Sequence, residues 1–99
     1  MIFALLCQDK PGHLQVRLDN RPAHVDYLNG LNAKGVLKFA GPFLDADGKP
    51  NGSLVALEVD GKPEAEAIAA NDPYALAGLF ERVDIKPWSW VFNKPENAA

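Results

Sequence analysis

Two residues of this chain combine the types and the phase that proton chemistry needs: His24 and Asp72. On a helix opened by Pro22, His24 shares a face with Tyr27, Leu28 and Leu31, at spacings of three, four and seven, so its imidazole points inward. Asp72 follows an alanine-rich segment, in phase with Ala65, Ile68 and Ala69, and Pro73 fixes it at the end of that helix. Each has an ordinary structural alternative. A buried histidine bonds a backbone carbonyl, and an Asn-Asp-Pro turn closes on amides two positions further on. Brought together, they do more, because a carboxylate beside an imidazole fixes its tautomer and raises its basicity. That is a His-Asp dyad, a base for work near neutral pH. No nucleophile is placed beside it: Ser53 opens a strand, Ser89 lies among tryptophans, and Cys7 sits in an apolar run where burial is expected. Arg17 and Arg21, one turn apart just before His24, are candidate holders of an anionic substrate, against the plainer role of solvating a face.

Other chemistries fit poorly. His13, His24 and Cys7 show no metal-ligand spacing, and Gly48, Gly52 and Gly61 read as turn glycines, not as a phosphate cradle. Thirteen acids against ten bases give a net charge of −3, and the bases are scattered from Lys10 to Lys94, without the basic stripe that nucleic acid requires. The longest apolar run, residues 1–7, is too short to cross a bilayer and has no basic segment ahead of it, so a cytoplasmic protein is expected. One cysteine permits no internal disulfide.

The elements that position the dyad follow from the apolar pattern. At 99 residues, 47% hydrophobic and 23% charged, the chain is one folded domain with a thin core, to which a partner subunit would add burial. Residues 1–7 and 53–59 are apolar at both alternating sets of positions, as in strands covered on both faces. A helix is expected from Pro22, with Asp19 or Asn20 as cap, to Gly35; a strand at 36–40 ends at Gly41-Pro42. Turn formers at 45–52 make a hairpin with the strand at 53–59. A short helix at 63–71 follows, then one more turn within 74–80 and an alternating strand at 82–86. Beyond it, Trp88, Trp90 and Phe92 change phase, which implies a bend or bulge at Pro87. Residues 93–99 read as a frayed tail.

The order β-α-β-β-α-β gives a ferredoxin-like α+β fold, with the two most apolar strands central in a four-stranded antiparallel sheet and the charged ones at its edges. Both helices then cover one face, which lets inward groups at the start of one and the end of the other meet. The opposite face is left apolar, and a second copy of the chain is the simplest cover.

Several motifs together resemble the YCII-related (YciI-like) family: Arg21-Pro22-Ala23-His24, Ala40-Gly41-Pro42, Gly52-Ser53, Asn71-Asp72-Pro73-Tyr74, Ala77-Gly78-Leu79 and Val83-Asp84-Ile85-Lys86-Pro87-Trp88. The resemblance runs over residues 1–92. It implies a ferredoxin-like domain that dimerises through its sheets, the dimeric α+β barrel also used by muconolactone isomerases, with His24 and Asp72 acting together. Members with assigned reactions include a dehydrochlorinase of hydroxyhydroquinone breakdown. The expected function is cofactor-independent proton transfer, an isomerisation or elimination on a small cyclic or phenolic carbonyl compound, with Arg17, Arg21, Ser53 and Tyr74 holding the substrate. The alternatives are a dimeric small-ligand-binding protein without turnover and a module whose only output is dimer formation.

Overall fold

The computed structural model describes residues 1–96; the end of the expected tail, 97–99, lies outside them, and 93–96 are exposed. In chain order it contains β1 (Ile2–Asp9), α1 (Leu14–Ala33), β2 (Leu37–Leu44), β3 (Pro50–Glu58), α2 (Lys62–Asn71), α3 (Pro73–Leu76) and β4 (Phe80–Trp88). The strands form one antiparallel sheet in the order β2-β3-β1-β4, the ferredoxin-like arrangement, with the apolar pair in the middle. Phe3, Leu5 and Cys7 of β1 face the helices beside Val55 and Leu57 of β3, and Leu31 of α1 and Ala65 of α2 close this core.

Several boundaries and one register expectation differ from the sequence reading. The helix α1 starts at Leu14, eight residues ahead of Pro22, which lies inside it; neither Asp19 nor Asn20 is its cap. An internal proline forfeits the bond to the carbonyl four residues back. That carbonyl belongs to Leu18, and both Leu18 and Pro22 are exposed. Because β2 is an edge strand, it runs on through Gly41 and Pro42 to Leu44, where the missing N–H of proline costs no ladder bond. Its partner β3 begins at Pro50, three residues before Ser53. No register shift occurs at Pro87, which pairs with Phe3; the β1–β4 shift lies at the other end, where Gln8 pairs with Arg82 and Asp9 with Phe80.

The helix-free face is partly covered by the chain itself. Phe39, opposite Ala56, meets Trp88 and Trp90 edge-on at 5.4 and 5.2 Å, and Trp88 lies opposite Ile2. Ile2, Ala4 and Ala56 are buried beneath this aromatic group, whereas Leu6 and Leu54 are half-buried and Phe43 is exposed.

Gly52 pairs with Gln8 and Phe43 on this face, and a Cβ there would stand 2.5 Å from the Cys7 carbonyl oxygen and 3.2 Å from the Phe43 ring. A backbone atom in a central strand cannot yield cheaply. Gly52→Ala is therefore expected to cost about 1–3 kcal/mol, read as a fall in melting temperature of roughly 4–8 °C per kcal/mol in a thermal scan.

Candidate active site

The site is built on one stripe of α1. Starting the helix at Leu14 puts Arg17, His24 and Leu31 at successive intervals of seven, and these are its three buried residues. Helix α2 ends at Asp72, whose extended backbone (φ −60°, ψ 131°) also caps α3. There the side chain accepts the Tyr74 N–H at 2.9 Å, so the Asx turn exists. The same carboxylate also faces His24, with Oδ1 and Oδ2 at 2.9 and 3.0 Å from Nδ1. A carboxylate only accepts, so Nδ1 carries the proton and the Nε2 lone pair is left as the base. The two side chains are only 10% and 9% exposed, which excludes most of the water that would otherwise compete for them.

Tyr74 stacks on the imidazole with centroids 3.9 Å apart and an angle of 16° between planes. The Arg17 guanidinium lies over the same phenol, its Cζ 4.6 Å from the centroid. Arg17 is itself buried, donating from Nε to Asp9 Oδ2 at 2.7 Å and from NH2 to Asp9 Oδ1 and Ser53 Oγ, each at 2.9 Å. Burial alone would weaken its charge, but the hydrogen bonds and charge of Asp9 outweigh that and hold it protonated. The Tyr74 phenol is pushed above the usual tyrosine range by burial, against the pull of Arg17 and Arg21, and so remains a neutral O–H at pH 7. Burial, helped by Asp72, pushes the Cys7 thiol up to about 12, which removes it as a nucleophile at neutral pH.

A cleft of about 390 Å³ opens onto this group between α1 and the β2–β3 hairpin. Arg17, Arg21, His24, Ser53 and Tyr74 all line it, facing an apolar wall that includes Leu28, Leu37 and Val55. Its size suits one small ring compound. The structure thus brings all six sequence-derived site residues together, Asp72 reaching the cleft through His24. It also distinguishes the two arginines: Arg17 is already paired by Asp9, while Arg21 is exposed and has no acidic partner among the described residues. Asp9 was missed. Its signal was an acid in phase with Phe3, Leu5 and Cys7 on the covered face of β1.

The model of the YCII-related domain matches residues 1–89. The chain belongs to that family. Two YCII-related relatives are Protein YciI of Escherichia coli, 38% identical over 98 residues, and an uncharacterized protein of Haemophilus influenzae, 34% identical; both alignments cover 93% of this chain and 100% of the relative. A similar solved structure is the 5-chloro-2-hydroxyhydroquinone dehydrochlorinase TftG from Burkholderia phenoliruptrix, in complex with 2,5-dihydroxybenzoquinone. It has a TM-score of 0.83 and 36% identity over 90% of this chain and 94% of that one.

Two expectations follow from the geometry. Nitrogen-15 NMR of ligand-free protein should give His24 as the Nδ1–H tautomer, and Asp72→Asn should turn it into a mixture, because an amide can present either a donor or an acceptor to the ring. Stability should also fall with alkaline pH. The Cys7 thiol is raised from 9.0 to about 12, so the proton held by the folded state stabilises it fully below pH 9 and progressively less up to about pH 12. Cys7→Ala should flatten the melting temperature over that interval.

Proposed function

We propose that this protein is a small-molecule enzyme in which His24 carries a proton for an isomerisation or elimination, dehydrochlorination among them, on a cyclic or phenolic carbonyl compound. The observation that carries this reading is the buried His24–Asp72 pair on the wall of a ring-sized cleft. Nε2 takes a proton from an O–H, or from a C–H beside a carbonyl, and the electron pair moves into the ring system. In an isomerisation the proton returns to another carbon. In an elimination the electrons expel chloride, and the imidazolium passes its proton to water. Asp72 holds the ring in the working tautomer and stabilises the imidazolium.

Arg21 is the cation for the negative charge that builds on the substrate oxygen, and the Tyr74 phenol and Ser53 hydroxyl are polar contacts beside it. The dehydrochlorinase relative, solved with 2,5-dihydroxybenzoquinone, supports a ligand of this class. That molecule is a vinylogous acid and ionises readily, which suits an unpaired arginine at the cleft.

The reading also includes a homodimer in which the helix-free sheet faces pack together, the dimeric α+β barrel. Leu6, Leu54 and Phe43 around the aromatic group are the apolar surface such packing would cover.

Calorimetric titration with 2,5-dihydroxybenzoquinone should show saturable binding that weakens about tenfold or more in Arg21→Gln, as loss of a charged hydrogen bond implies. In a turnover panel of lactones and chlorinated hydroquinones, His24→Asn should cost about a hundredfold or more in rate; binding without turnover of any member would favour a ligand-binding protein. Light scattering at micromolar concentration should give twice the 10.7 kDa chain mass; a monomer mass would rule out the barrel.

A further inference from the structure

Asp9 is a buried acid to which the proton chemistry above gives no part. It continues the covered face of β1, following Phe3, Leu5 and Cys7, at the point where the register with β4 shifts. A bulge at this place lets β4 turn away, and bulges beside active sites re-aim side chains. Both Asp9 oxygens are engaged by Arg17, at 2.7 and 2.9 Å, and the pair is 6% and 5% exposed. Such a fork-to-fork pair fixes the guanidinium plane as well as its charge.

The plane matters because of what rests on it. Arg17 and His24 lie two helical turns, about 10.5 Å, apart on α1, and the Tyr74 ring contacts both, at 4.6 and 3.9 Å. We propose that Asp9 is the positioning residue of the cleft: it neutralises Arg17 and fixes the guanidinium on the Tyr74 ring, and so holds the phenol against His24 and leaves the ligand's charge to Arg21. Its functional meaning rests on the reading of His24 as proton carrier; its structural content does not.

The groups around Tyr74 that carry or take up charge are Arg17, Arg21 and His24 on α1 and Asp72 ahead of α3, with Asp9 of β1 paired to Arg17. Replacing Asp9 by asparagine leaves Arg17 uncompensated, which favours the phenolate. The test is NMR on ligand-free protein carrying carbon-13 at the tyrosine Cζ. In Asp9→Asn the Tyr74 titration should move down by about one unit, as an unpaired charge at this range implies. Tyr27 is an internal comparison, because its hydroxyl donates to the Ile68 carbonyl and Arg17 is not among its perturbers; it should move less. The His24 ring protons should lose part of the upfield shift that stacking on Tyr74 gives them. Adding Arg17→Gln to Asp9→Asn removes the orphaned charge and should bring Tyr74 back up.

A folded Asp9→Asn protein with Tyr74 and the His24 ring unmoved would overturn the proposal, leaving Asp9 a merely structural acid. Should that variant not fold, the wild-type Arg17 Nε–H decides alone: a clamped guanidinium gives a resolved, slowly exchanging signal at neutral pH, and a fast-exchanging one overturns the proposal. Failure of 2,5-dihydroxybenzoquinone to bind would count against the functional reading and leave these outcomes untouched.

Discussion

A carboxylate buried where two helices meet must find partners, and Asp72 organises the site by the way it finds them. It accepts the Tyr74 N–H and the His24 Nδ1–H, tying the α2–α3 junction to the middle of α1. Left unpaired, a buried carboxylate costs several kcal/mol. The same hydrogen bonds that satisfy it set the direction of Tyr74, and Tyr74 in turn is the surface on which both His24 and Arg17 rest. A turn that caps a four-residue helix therefore also orients an imidazole.

Two buried ionisable pairs meet at one phenol, Asp72–His24 on one side and Asp9–Arg17 on the other. Such pairs seldom add net stability over an apolar core, because desolvation offsets most of the attraction. Their presence in a small domain with a thin core is better explained by what they do to the cleft. Beside them stand a Tyr74 hydroxyl that burial keeps neutral and Arg21, which has no acidic partner among the described residues, facing an apolar wall. Polar groups held at some cost to stability are common where chemistry is done.

Much of this was legible in the sequence. Strands apolar on both alternating sets had to be central, and the phase of His24 with Leu31 and of Asp72 with Ala65 pointed both side chains into the same layer. The start of α1 was misread because Pro22 is a strong helix-opening signal, yet it lies inside the helix at an exposed position. That error hid the register placing Arg17 one heptad before His24, so Arg17 looked like a free cation. Its partner Asp9 lies on another element, and pairing across elements leaves no mark in local spacing. The contact of Phe39 with Trp88 on the helix-free face escaped for the same reason: the two come from opposite edges of the sheet.

In the proposed reaction His24 meets the ligand through Nε2 while Nδ1 stays bound to Asp72. Nitrogen-15 NMR of the His24 ring during titration with 2,5-dihydroxybenzoquinone tests it directly. Nε2 should shift in proportion to occupancy while Nδ1 keeps its proton. An Nε2 signal that stays fixed as the protein saturates, or an Nδ1 found without its proton, would contradict it.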